Sequence, residues 1–599
     1  MNIRELKTGA RKIIKKHYRF LIIACLVSSL IGSEFSSSIT VAQVGVKKES
    51  DISIFEMTNT KQKFNVLKQE VEEQSSKIKD GEDLVLNHKK SIFMSAVRVF
   101  TTGTLYAVIV RTVKSIIKSY NFWMGFLIIL AMLLVLSLWY LVVNVYTVIS
   151  RRIFLEARTY KRVRKTRYLY IQRTKTWLKV AKVMFLKYIY TLLWTLTIVG
   201  GMIKHFSYLL VPFIVAENPN IPAHDAINLS RRMMDGHKWE AFKLKLSFIG
   251  WNILGLLSLG LTSIFFSNAY EVATFSEFFV KLRKKAIDNK IEGYKYLNDK
   301  FLYEVASKEE LEKEYKEQYD NVSNRKIPLK KYKGVRGFLI RNFGLSLEKD
   351  EDKKAYEEEL VRNTKYKYLN DCINGNVYPD NLFKGKNKPA QDKGLNYARR
   401  YTFYNLVLIF FITSFCGWFW EVILHIVEDG RFVNRGVMYG PWLPIYGAGS
   451  CLLLLLLYRF RRDPGKHAIL TGVICGIIEY YTALILEVTH NGQRWWDYTG
   501  YFLNIDGRIC ADGILLFVVA GMAVVYLIAP KLDNILRKFN KKILITACII
   551  LSTVFVVDFI YSMTKPNAGK GITDYEVAYK GDKKWDVLKR LVINNLKKI

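Results

Sequence analysis

The sequence predicts an all-α, polytopic membrane protein: two transmembrane helical bundles joined by a hydrophilic, helical cytoplasmic linker. Three observations predict it. Half of the 599 residues are hydrophobic, and they fall in long runs such as Trp123–Val143 and Ile514–Ala529, close to the roughly 20 residues a spanning helix needs. The charged 24% is crowded between those runs. The hydrophilic segments also differ in charge balance in the way that orients membrane proteins. A soluble enzyme and a disordered chain are excluded.

The N-terminus, MNIRELKTGARKIIKKHYRF, is basic and leads into Leu21–Ile31. A signal peptide with its cleavage region after Ile31 is one reading. The reading adopted is an uncleaved first span, Phe20–Val41, carrying Glu34, with the N-terminus in the cytoplasm and the chain multi-pass in the membrane. Nine basic and nine acidic residues lie between Lys47 and Lys90, so the loop 45–95 is expected outside. Residues 96–118 are amphipathic, with Arg111, Lys114 and Lys118, and lie at the surface or lead into the next span.

The second span, 121–149, ends at Arg151–Arg152. From Arg151 to Lys187 there are 13 Lys and Arg against Glu156 alone, the signature of a cytoplasmic loop. Two more apolar stretches, 188–216 and 246–266, each cross once or form a tight hairpin. Residues 1–285 thus form a domain of four to six crossings. In a soluble chain the net charge of +37 would suggest nucleic acid. Here topology accounts for it, so the partners expected are the lipid bilayer, with anionic lipid drawn to 151–187 at the cytoplasmic face, and no nucleic acid.

Residues 286–399 form the charged linker, which carries no long apolar run and no catalytic constellation. YKYLND occurs twice, at Tyr294–Asp299 and Tyr366–Asp371, by duplication or by chance. The second bundle, 400–565, has five runs: 403–425, 440–458, 468–489, 511–530 and 543–562. The connections 459–466 and 531–542 are basic and therefore inside, which places 426–439 and 490–510 together outside. The basic tail 566–599 follows on that same outer side.

Those two outer loops hold the strongest signals. GRFVNRGVMYGPWLPIYGAG (430–449) is too rich in Gly and Pro to continue a helix. NGQRWWDYTGYFLNIDGR (491–508) joins Trp495, Trp496 and Tyr498, suited to the headgroup region, to Arg494 and Asp497 at pairing distance along the chain. Glu479 lies mid-span, where a carboxylate costs on the order of 2.5–3.5 kcal/mol on insertion scales. Glu479, Ala483 and Glu487 follow one helical ridge, and Glu421 sits near the outer end of its own span. Arg435, Arg494 and Arg508 are the cations available to them. A structural ion network and a substrate or proton site both fit this set. The expected outer pocket is lined by Glu421, Arg435, Glu487, Arg494, Asp497 and Arg508.

The seven cysteines show no metal spacing, and no Walker A, HExxH, GxSxG or dinucleotide-binding fingerprint occurs. No catalytic residue, metal or cofactor is expected, and any ATP used would be hydrolysed by a separate ATPase subunit.

At these residues the sequence resembles two bacterial membrane families in one chain. The stretches MNIRELKTGARKIIKKHYR and AENPNIPAHDAINLSRRMMDGHKWEAFKLKLSFIGW resemble an uncharacterised integral-membrane family, a domain of unknown function. Arg435-Gly436, Tyr439-Gly440-Pro441-Trp442, Pro444-Ile445-Tyr446-Gly447, Arg494-Trp495-Trp496-Asp497-Tyr498, Asn504 and Gly507-Arg508-Ile509-Cys510 resemble the ABC-transporter type IV, CmpB-like, membrane family. That resemblance implies a permease-like component of a bacterial plasma membrane, for an unknown substrate. The candidate substrate-binding residues, drawn from the two loops and the intramembrane acids, are Glu421, Arg435, Tyr439, Glu479, Glu487, Arg494, Trp495, Trp496, Asp497, Asn504 and Arg508. The alternatives are an envelope enzyme acting on lipid or glycan through Glu421, Glu487 and Asp497, and a non-transporting scaffold or sensor.

Overall fold

The computed structural model describes residues 2–31, 33–35, scattered positions from 126 to 137, 139–195, 198–258, 260–325, 327–329, 332–346, 353–382, 399–429, 432–490, 493–498, 505–568, 572 and 575–576. The expected loop 45–95, the amphipathic segment 96–118, part of the 121–149 span and the end of the tail lie outside them. Helices dominate, and the strands that occur are two-residue pairs. Leu345–Ser346 runs parallel to Tyr401–Thr402, and Gln493–Arg494 runs antiparallel to Tyr575–Glu576.

In the N-terminal half, α1 (Ile3–Leu30) takes the basic lead-in and the apolar stretch into one helix, kinked at His17. Leu6, Ala10, Ile13 and Ile14 are buried, the three-and-four spacing of a single packed stripe. That stripe lies against α2 (Asn144–Thr159), on which α3 (Trp177–Thr195) and α4 (Val211–Glu217) also pack, and directly against α5 (Asn268–Asp288). Residues 188–216 do not form one long helix. α3 ends at Thr195 and the next helix, Ile198–Ser207, packs back on it. Gly201 allows this, since a Cβ there would sit 2.9 Å from the Thr195 backbone. Among the described residues of this half, no helix is both long and apolar enough to cross a membrane; α3 carries Lys179, Lys182 and Lys187.

A buried ion cluster ties this half to the central segment. Glu156, 1% exposed, accepts from Arg152 at 2.8 Å and from Arg167 at 2.7 Å. Arg167 also holds Asp380 at 2.6 Å, with Arg164 on its other oxygen at 2.7 Å. Arg152 reaches Asp299 at 3.1 Å and lies between the rings of Tyr170 and Tyr378. Glu217 accepts both arms of Arg283 at 2.8 Å and the Tyr303 hydroxyl at 2.7 Å. Four arginines thus face four carboxylates. The acids at 299 and 380 come from the hydrophilic centre of the chain.

Within that centre, α6 (Lys308–Asn324) pairs with α8 (Lys353–Ile373) around Leu311, Tyr315, Leu369 and Cys372. Between them α7 (Gly334–Phe343) lies against the second bundle. The two YKYLND copies differ: the first is a 3-10 turn followed by irregular chain, the second lies inside α8.

The C-terminal bundle comprises α9 (Phe403–Asp429), α10 (Pro444–Leu456), α11 (Pro464–Thr489), α12 (Ala511–Ala523) and α13 (Lys541–Thr564); α12 continues through a π turn at Val524–Ile528 into Ala529–Leu536. Phe403–Ile423, Pro464–Thr489, Gly513–Leu536 and Lys541–Thr564 are long and apolar enough to cross a membrane. α10, with 13 residues, spans about 20 Å, less than the roughly 30 Å hydrocarbon core. The remainder of the expected 440–458 span is irregular at one end, where Gly440 and Pro441 precede a helix that opens at Pro444, and a 3-10 turn at the other.

One end of this bundle is basic and bonded to the central segment. Asp533, fully buried, accepts from Arg399 at 2.9 Å, Asn405 at 2.7 Å and Arg537 at 2.6 Å. Arg537 also forks onto Glu357 of α8, both arms at 2.7 Å, and Tyr356 bonds Tyr458 at 2.6 Å. The opposite end carries the two Gly- and aromatic-rich loops.

Candidate functional site

At the loop end of α11 the helix delivers Glu487, two turns beyond Glu479 on the same ridge. Glu487 is 1% exposed. Its two oxygens are shared between two guanidinium groups: Arg494 at 2.9 Å on one, and Arg508 at 3.0 and 3.2 Å on the other. Such planar forks suit a carboxylate well. Arg494 also reaches Asp497 at 3.3 Å, and Arg508 reaches Asp506 at 3.1 Å, which the Tyr480 hydroxyl holds at 2.6 Å.

Local sequence explains how Arg508 arrives there. Asp506 and Gly507 both take positive φ, 52° and 65°, so the chain reverses at this Asp-Gly pair. Arg508 N–H closes the turn on the Ile505 carbonyl at 3.0 Å, and Tyr498 N–H donates to the Gly507 carbonyl at 2.6 Å. Arg494 is fixed from the other side by its strand pairing with Tyr575–Glu576. Trp496 donates to the Arg508 carbonyl at 3.2 Å, while buried Trp495 packs edge-on against His490. Ala483, Leu486, Glu487, Arg494, Trp495, Trp496 and Arg508 line a cavity of about 10 Å³, on the scale of one water molecule.

Glu421 belongs to a second group. It accepts from Arg435 at 3.2 Å and from the Tyr446 hydroxyl at 3.0 Å, and Arg435 continues to the Ile572 carbonyl at 3.2 Å. The first loop is built around an acid that sequence reasoning did not single out, Asp558 of α13. Its carboxylate takes Tyr439 N–H at 3.2 Å, Gly440 N–H at 2.8 Å and the Trp442 indole at 2.8 Å. Asn567 adds bonds to the Asn434 and Gly436 carbonyls at 2.9 and 3.0 Å. Gly436 has φ +99°, and a Cβ there would lie 2.4 Å from Leu443, so the loop needs glycine at that position. A lone acid inside the apolar run 543–562 was the available signal for Asp558, of the same kind as Glu479.

The structure therefore brings Glu487, Arg494, Trp495, Trp496, Asp497 and Arg508 together and sets Glu421 with Arg435 as a separate pair. Glu479 is bound to neither group of arginines; its partner is the Tyr498 hydroxyl at 3.0 Å. Tyr439 is 47% exposed, with its ring against Tyr561 and only its backbone engaged by Asp558. Asn504 lies outside the described residues. Among the described residues no cluster of three or more His, Cys, Asp and Glu side chains could hold a metal.

Two family models match separate parts of the chain. Residues 408–563, covering nearly all of α9 to α13, match the family described as "Putative ABC-transporter type IV", and residues 1–286 match the family described as "Protein of unknown function (DUF975)". No curated protein and no solved structure matches the chain. The C-terminal segment is thus similar to a transport-related membrane family, and the N-terminal segment to a separate one.

Proposed function

We propose that the chain is the permease-like membrane component of a transport system whose ATP hydrolysis resides on another polypeptide, with the loop-face group around Glu487 as its solute-engaging site. One observation carries this reading: a fully buried carboxylate at the end of a membrane helix is clamped between two arginines that come from a loop rather than from helices. The clamp joins α11 to the loop leading into α12, so releasing it would free that connection to move. The cavity beside it, about one water in size, corresponds to a closed arrangement. Transport is favoured over hydrolysis at this face because Arg494 and Arg508 engage Glu487, and Arg494 engages Asp497, so neither carboxylate is presented as a free base.

The test is complementation of a deletion strain. Glu487→Gln and Arg494→Lys should reach wild-type abundance in the membrane and fail to restore the phenotype. Both substitutions keep hydrogen-bonding capacity while altering the charge or the fork. Full complementation by both at normal abundance would overturn the proposal.

A further inference from the structure

Glu487 carries two arginines, Glu421 one, and Asp533 two. Glu479 differs from them all. It is 3% exposed in the middle of α11, and among the described residues no Lys, Arg or His lies within ion-pair distance of it. One oxygen accepts the Tyr498 hydroxyl at 3.0 Å, and the other, Oε2, is buried with no hydrogen-bond partner.

That second oxygen borders a niche at the start of α12. A side chain at Gly513 would place its Cβ 3.8 Å from Glu479 Oε2, 3.5 Å from Cys510 Sγ and 3.9 Å from the Tyr498 hydroxyl. Because residue 513 is glycine, this space is not filled by a side chain from α12. Among the described residues, the titratable groups facing Glu479 are Glu421 from α9, Tyr446 from α10, Cys475 one turn away on α11, and Tyr498 and Cys510 from the second loop. All are acids, phenols or thiols.

A carboxylate buried without a cation is neutralised rather than tolerated, and the negative neighbour Glu421 acts in the same direction. The neutral acid also has a use for Oε2, since it acquires an O–H donor that a water in the niche could accept.

We propose that Glu479 is an intramembrane proton-binding site, holding its proton on Oε2 in the niche at Gly513 and exchanging it with the loop face past Tyr498. Tyr498 is held by the Gly507 carbonyl, one residue from Arg508, so the Glu487 clamp and the proton site share a turn. The inference rests on the placement of α11 in the membrane and does not require the transport reading.

Dicyclohexylcarbodiimide tests it on the purified full-length protein in lipid nanodiscs. The reagent takes up the carboxyl proton on nitrogen, the carboxyl oxygen adds to its central carbon, and an O-to-N shift leaves a stable N-acylurea. Peptide mass spectrometry then locates the adduct. Glu479 should be modified, with labelling falling roughly tenfold for each pH unit above its midpoint, while Glu487 stays unmodified. Glu479→Gln should abolish that adduct. Tyr498→Phe removes a donor that favours the ionised form, so the midpoint should move to higher pH. Glu421→Gln removes a negative neighbour, so it should move to lower pH.

An unmodified Glu479 at every pH, in protein whose other carboxyls react, would overturn the proposal. So would a midpoint unmoved in both variants when they elute as wild type. Complementation by Glu487→Gln reports on the transport reading alone, so the two can fail separately.

Discussion

Two aspartates in one buried cluster respond oppositely to their surroundings. Burial, with Glu217 nearby, outweighs Arg152 and pushes Asp299 up to about 6. For Asp380 burial acts the same way, but Arg167 and Arg164 outweigh it and hold the carboxyl below its ordinary value. A raised carboxyl stabilises the fold at low pH, and that contribution is lost as pH rises through about 6. Thermal denaturation between about pH 4 and 7 should therefore show a slope in the wild type that Asp299→Asn lacks, on the order of 2–3 kcal/mol in total. Asp558 offers a simpler case. Asp558→Ala strands the Gly440 N–H and the Trp442 indole, which should destabilise the bundle by about 2–3 kcal/mol. A lower melting temperature in detergent and faster proteolysis within 436–443 would show it, with Asp558→Asn intermediate.

At the scale of elements, close helix packing in the second bundle depends on small residues, as membrane interfaces commonly do. α9 and α10 meet at Gly417 and Gly447. A Cβ at Gly447 would fall 2.2 Å from Ser414 Oγ and 2.6 Å from the Phe410 carbonyl, and one at Gly417 would fall 2.4 Å from the Tyr446 ring. Gly449, two residues on, has nothing within 4 Å. Gly447→Ala should accordingly cost about 1–3 kcal/mol through overpacking, whereas Gly449→Ala should be neutral or slightly stabilising. Parallel melts of the two variants check this. The Gly417 contact also bears on the site, because displacing the Tyr446 ring would pull its hydroxyl from Glu421.

For the whole molecule, the notable element is α8. Its 21 residues extend about 30 Å. At one end Tyr356 and Glu357 bond the basic face of the second bundle, and at the other Leu369 and Cys372 pack beside residues that reach the N-terminal cluster. Asp371 also pairs with Arg162 at 3.0 Å. We therefore expect the N-terminal unit to extend to about residue 382. A fragment of residues 1–382 should remain monodisperse in detergent. A fragment of residues 1–286 removes Asp380 from Arg167 and Asp299 from Arg152, leaving Glu156 shared between both guanidinium groups, and breaking a buried pair costs about 3–5 kcal/mol. It should aggregate or lose its thermal transition on size-exclusion analysis, and a stable 1–286 fragment would place the boundary back at the end of α5.

What the sequence alone determined is what depends on local composition: the helical class, the positions of the apolar runs in the second bundle, the basic connections, and the irregular loop at Gly440–Pro444. Hydropathy and backbone restriction act along the chain, so they can be read residue by residue. Glu479 and Glu487 were legible as costly acids for the same reason. Their partners were not, because helical spacing places both on one ridge while only the turn at Asp506–Gly507 decides which one Arg508 meets. The two YKYLND copies show the same limit. One is a turn whose Asp299 is buried against Arg152 and the other is helix, since contacts from distant residues outweigh the weak preferences of six. Which charges pair, and which carboxyl is left without a cation, was decided by tertiary packing, because ion pairing depends on distance in space rather than distance along the chain.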